Sequence, residues 1–247
     1  MFTKNQVNFL IIADLALLIV ALCFVNYSDF DVHLQNHLFN FETKSWLIDA
    51  QEPINKFIFY TFPKILLGVA IFMVLAATIL GFKNKSQFCF DNRHKFLLIF
   101  LGLTLIPLTV GNIKKFTDIY CPNQLAEYSG EYPHTHIFEK YDKNFLELRR
   151  IKSPHGELQH GKANKGQCFP AGHPVTAFCL MILFFALEKK SHKFYGLFVA
   201  VALGWILGFY QMAKGAHFFG HNLVSMLACF LVAALIARVM WAKTLKR

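Results

Sequence analysis

The sequence predicts an all-α fold: a polytopic bundle of six transmembrane helices, with a long outer-side loop between helices 3 and 4. Three observations lead there. The 247 residues are 55% hydrophobic and include 28 Phe, with a mean hydropathy of +0.40, too apolar for an ordinary soluble domain of this length. Apolar runs recur that are long enough for about 30 Å of hydrocarbon, which takes about 20 such residues. The basic residues cluster between those runs with the asymmetry that the positive-inside rule asks for.

The runs fall at 7–25, 57–82, 95–113, 194–212 and 220–241, and a shorter one at 174–187 begins directly after a Pro-Ala-Gly-His turn. If six helices alternate, one side collects Lys4, then Lys83, Lys85, Arg93 and Lys95, then Lys189, Lys190 and Lys193, then Arg238, Lys243, Lys246 and Arg247. Both termini are therefore expected in the cytoplasm. That asymmetry also accounts for the net charge of +10, and no nucleic-acid partner is expected. Residues 1–25 start like a secretory signal, but no small-residue cleavage site follows Cys23 and Val25, so an uncleaved first helix is expected. Asp14 within it is assigned to an interhelical hydrogen bond, and Lys64, beside Pro63, to snorkelling. With no internal repeat, the chain reads as one integral domain over 1–247, its core at 57–241.

The connections 26–56, 114–173 and 213–219 then face outward. The first is acidic, with Asp29, Asp31, Glu42, Asp49 and Glu52 against Lys44 and Lys56; the second is rich in Lys, Arg and His. Histidines at the mouths of apolar helices are candidates for a site, because hydrocarbon makes them costly to charge. His217 is the candidate nucleophile, with His221 one helical turn on as the partner for its second nitrogen. His173, after Pro170, Ala171 and Gly172, is the candidate general acid, in a turn whose backbone N–H groups can bind phosphate oxygens. Lys114 adds fixed positive charge. Gln211 and Lys214, three residues apart, add a neutral donor and a cation on one stripe, provided that Gly215 does not break the helix first.

Lys114-x6-Cys121-Pro122, Pro170-Ala171-Gly172-His173 and Gln211-x5-His217-x3-His221 carry a resemblance. In order, spacing and membrane placement they resemble the membrane type-2 phosphatidic acid phosphatase (PAP2) family, which includes bacterial lipid A phosphatases, phosphatidylglycerophosphate phosphatases and undecaprenyl pyrophosphate phosphatases. The likeness covers about residues 57–241. It implies a six-helix bundle, a phosphohistidine on His217, protonation of the leaving group by His173, and no cofactor or required metal. The implied substrate is a phosphorylated membrane lipid, taken sideways from the bilayer of a bacterial inner membrane by a site facing the periplasm. Lipid A phosphate or a phosphatidylglycerophosphate-like lipid leads, undecaprenyl pyrophosphate follows, and transfer to a second lipid stays open, as does a degenerate, lipid-binding role.

The family pattern is Lys-x6-Arg-Pro, Pro-Ser-Gly-His and Ser-Arg-x5-His-x3-Asp, and the departures matter. Cys121 and Gln211 replace arginines, Ala171 a serine and His221 the orienting aspartate. Two guanidinium groups are missing from the phosphate cradle, and a neutral histidine orients a nucleophile without stabilising its developing positive charge. Cys121 and Cys168 both lie on the outer side beside catalytic motifs, so an oxidising compartment permits a disulfide between them. Cys23, Cys179 and Cys229 fall within spans as packing residues, and Cys89 on the cytoplasmic side. His134, His136, His155 and His160 match no zinc spacing and are expected in a solvated loop. Arg149, Arg150, Lys152, Lys162 and Lys165 face either an anionic headgroup or the lipid surface.

Overall fold

The computed structural model describes residues 2–141 and 165–244, so Arg149, Arg150, Lys152, His155, His160, Lys162, Lys246 and Arg247 lie outside the described residues. The chain is mostly helical. Thr3 opens α1 (Lys4–Tyr27) with a capping box, its hydroxyl accepting from Gln6 N–H while the Gln6 side chain accepts from Thr3 N–H. A short α2 (Phe30–Asn36) and a two-residue hairpin pairing Phe39 with Trp46 follow. Glu52 caps α3 (Pro53–Phe82), whose turn at Phe57–Thr61 is π-helical, just ahead of Pro63 with its missing N–H. Ser86 caps α4 (Gln87–Ile113). After the long connection come α5 (Val175–Ala186), α6 (Lys190–Ala213) and α7 (Phe219–Thr244).

Five of these, α1, α3, α4, α6 and α7, are long and apolar enough to cross a membrane, and the large side chains on their outer faces, such as Phe9, Ile12, Phe72 and Phe198, stay exposed as lipid contact requires. The sixth run differs from expectation. α5 is broken by a 3-10 turn at Cys179–Met181, and at about 1.5 Å per residue it reaches about 18 Å, too short for a span by itself. Its residues Val175, Phe178, Cys179, Met181 and Ile182 are enclosed at the centre of the main core, among α4, α6 and α7. Two glycines admit it: a Cβ on Gly102 would come 2.3 Å from the Ile182 side chain, and one on Gly204 2.1 Å from the Phe178 ring. Ala228, Ala233, Ala234 and Ala237 give α7 the small face that close helix approach needs in a membrane.

Two residues in α1 depart from the sequence reading. Cys23 is exposed rather than packed, whereas Cys179 and Cys229 are buried as expected. Asp14 is buried at 4% exposure, yet its Oδ2 has no hydrogen-bond partner among the described residues; the helix pair is tied instead by Arg238 Nε donating to Asn8 Oδ1 at 2.7 Å.

Candidate active site

The outer connections are braced before any site residue is placed. Ile119 and Gln167 form a parallel bridge, Cys168 N–H donates to Ile119 O at 2.9 Å, Gly166 N–H donates to Asp118 Oδ1 at 2.8 Å, and Cys121 and Cys168 are joined in a disulfide. The start of the long connection is thus bound to its end. The turn after α6 is held from the other side. Gln35 Nε2 donates to Met212 O at 2.9 Å and Ile48 N–H to Ala213 O at 3.1 Å. Gly215 has φ +72°, and a Cβ there would lie 2.3 Å from the Trp46 ring, so the hairpin seats directly on this turn. The helix does break at Gly215: α6 ends at Ala213, and the Gln211 carbonyl then accepts Ala216 and His217 N–H in a tight return.

His217 emerges just before α7, 6% exposed, and His221 sits in the first turn of α7, 2% exposed. Their rings are 5.9 Å apart at 64°, an edge contact with no hydrogen bond between them. Cys168 faces the His217 ring: its Sγ lies 3.3 Å from Nδ1, and its backbone carbonyl is an acceptor for this ring as well. A disulfide sulfur has no proton and is only a weak acceptor, so it can take an N–H from Nδ1 and leave Nε2 free. For the same reason the 2.8 Å approach of that sulfur to Ala216 O is a packing contact. Cys121, Cys168 and His217 present ligand atoms within 4.8 Å of one another, but bonded sulfurs lack the thiolate charge that holds a metal.

His173 lies across from His217, rings 6.3 Å apart, with its Nε2 buried and unpartnered among the described residues. Lys114, at the end of α4, reaches this turn: its Nζ is the atom nearest a Cβ built on Gly172, at 3.8 Å. Lys214 lies 4.9 Å from the Tyr210 ring and 5.6 Å from that of Tyr60. Gln211 is fully buried with both amide atoms unpartnered among the described residues. Ala171 is placed differently from the sequence expectation. Its N–H goes to His221 O at 3.2 Å and its carbonyl accepts from Ser225 Oγ at 2.7 Å, so its backbone ties the turn to α7 and is not open to a phosphate.

Burial makes this an environment for neutral imidazoles. It pushes the His217 pKa down to about 3, with help from Lys114, and the His173 pKa down to about 2, with help from His217, Lys64, Lys214 and Lys114. Burial also holds Lys214 below its ordinary value. His134, expected in a solvated loop, is partly buried, its ring 5.7 Å from Phe218, and its pKa is lowered by burial as well.

Two neighbours of the site escaped the sequence reading. The Tyr60 ring lies 4.3 Å from that of His173, tilted at 39°, and Lys64 Nζ lies 3.6 Å over the Tyr60 ring. The signal was present as a Tyr and a Lys one helical turn apart at the outer end of a span. The model of the PAP2 superfamily matches residues 95–245, more than half of the chain. The matched region takes in most of α4 and all of α5 to α7, and the stretch 57–94 that the resemblance included lies outside it. No curated protein and no solved structure matches the chain.

Proposed function

The chain belongs to the PAP2 superfamily, whose members are phosphatases, and we propose that it is an integral membrane lipid phosphate phosphatase working through a phosphohistidine. Its substrate would be a phosphomonoester on lipid A or on a phosphatidylglycerophosphate-like lipid. The observation that carries the reading is the facing pair His173 and His217, 6.3 Å apart between rings, with Lys114 against the Gly172 backbone. His217 Nε2 attacks phosphorus, forming a P–N bond while the P–O bond to the lipid breaks, and His173 gives its proton to the departing oxygen. Water, deprotonated by His173, then attacks the phosphohistidine, releasing phosphate and restoring neutral His217.

Lys114, Lys64 and Lys214 take over the charge of the two missing guanidinium groups, and the Gln211 amide, unpartnered among the described residues, adds a donor. An apolar groove of about 520 Å³ is lined by Ile48, Phe59, Trp205, Ile206, Phe209 and Tyr210, of which Phe59 and Tyr210 directly precede Tyr60 and Gln211 in the chain, and it supports a substrate whose acyl chain stays in the bilayer. The proposed setting is a bacterial inner membrane, with the site on the periplasmic face.

The test is purified protein in detergent with EDTA, offered a panel of phosphorylated lipids, with free phosphate and lipid-to-lipid transfer both read. Release should survive chelation and vanish in His217→Ala. Activity lost on chelation and restored by a divalent ion would sink the metal-independent mechanism. Transfer without release would make the protein a phosphotransferase, and neither would leave a lipid-binding relative, in line with the replaced residues at 121, 211 and 221.

A further inference from the structure

One buried carboxylate beside this site has no part in the steps above. Asp31 of α2, 8% exposed, accepts the Gly220 N–H on Oδ1 at 2.8 Å, at the start of α7. It borders a cavity of about 20 Å³, room for one water. Ser28, His134, Thr135 and His221 share that wall. Three polar atoms there are buried without a hydrogen-bond partner among the described residues: Ser28 Oγ, Thr135 Oγ1 and His221 Nδ1. A small, partly open pocket with several convergent polar atoms is where a protein can hold an ordered water. His221 is also the ring in edge contact with the nucleophile, so the cavity lies one residue behind the chemistry.

We propose that Asp31 is a positioning residue for His217: through one water in this cavity and the ring of His221, it supplies from α2 the carboxylate that the family pattern carries at position 221. This rests on the reading of His217 as the nucleophile. The water donates one hydrogen to the unpartnered His221 Nδ1 and the other to Asp31, which locks the His221 ring and the His217 ring against it. The negative charge, one water and one ring away, then favours the cationic character that His217 gains as it attacks. Asp31 precedes the family-matched residues, so the compensation comes from a segment that the motif does not include.

Asp31→Asn keeps an oxygen for the Gly220 N–H and removes the charge. It should lower kcat roughly tenfold with KM and melting temperature unchanged. In a His221→Asp background, where the carboxylate meets the nucleophile directly, the same change should be nearly silent. Ser28→Ala with Thr135→Val strips the water of partners, leaves Asp31 in place, and should lower kcat in the same direction; this pair decides the matter if Asp31→Asn does not fold. A density map that resolves waters should show one within hydrogen-bond distance of Asp31 and His221 Nδ1. A dry cavity overturns the proposal whatever the activity, and so does wild-type kcat in Asp31→Asn or an equal loss in the His221→Asp background. Wild-type protein that releases no phosphate overturns the phosphatase reading instead, and the water map still decides this one.

Discussion

A general acid must hold its proton when the bond breaks, yet His173 has its pKa pushed down to about 2 by burial, His217 and three lysines. The contradiction resolves once a phosphate dianion enters, because opposite charge in contact raises a histidine pKa. Anion binding must then take up a proton. Sulfate, a dianion throughout, should bind more tightly as pH falls from 8 to 6, and this dependence should disappear in His173→Asn; a flat profile by calorimetry would count against His173 as the acid. The same shifts bear on stability. Folded values of about 2 and about 3 lie below the ordinary 6.5, so the unfolded chain binds more protons between them, and stability present above 6.5 is lost as pH falls through that window. Lys64 offers a separate test at this scale. If it holds phosphate, Lys64→Met should raise KM roughly tenfold and Lys64→Arg should recover most of it, whereas a lysine that only snorkels leaves KM unchanged in both.

At the scale of elements, the site depends on two outer connections that clamp one turn. Asn123 N–H donates to Gly215 O at 2.8 Å, the hairpin's Trp46 covers Gly215, and Phe39, Trp46 and Tyr128 form an aromatic cluster over it. The Cys121–Cys168 bond closes the loop between the first two motifs, with 47 residues of separation, for which chain entropy gives about 4 kcal/mol of stabilisation. Cys121→Ser with Cys168→Ser should therefore lower the melting temperature, and by removing the sulfur against His217 Nδ1 it should lower kcat as well. Unchanged kcat in the folded double variant would mean that the sulfur does not orient the ring. The motif residues and the cysteine pair were legible because each sits at a fixed spacing beside a span end. Lys64, Tyr60 and Asp31 were not, because they reach the site from distant segments and no local pattern marks tertiary proximity. The shortness of α5 was visible in its run of apolar residues; its 3-10 turn was not, because Cys179–Met181 are apolar like their neighbours and the turn shows no Gly or Pro.

At the scale of the whole molecule, the number of crossings decides which face carries the chemistry. Five crossings put the two ends on opposite sides, and six put them on the same side. The basic residues at both ends, Lys4 near the start and Arg238 and Lys243 near the finish, favour the same side. α5 alone is too short, but its flanks extend it. Gly172, just before it, lies against Lys114 at one end of α4, while Glu188, just after it, pairs with Lys95 near the other end at 2.8 Å. From Lys95 to Lys114, α4 rises about 28 Å, so the shorter segment from Gly172 to Glu188 runs beside a stretch close to the depth of the hydrocarbon. The 3-10 turn and non-helical flanks give it more rise per residue, and irregular backbone is tolerated at that depth when protein encloses it. We therefore expect six crossings with α5 as the fourth. A reporter fused after Arg247 should behave as cytoplasmic, and one inserted near Gly156 as external. If the carboxyl-terminal reporter is external while one at the amino terminus is cytoplasmic, α5 does not cross. If both terminal reporters are external and the Gly156 insertion is cytoplasmic, the orientation is inverted, the site opens to the cytoplasm, and lipids of the outer leaflet are no longer its substrates.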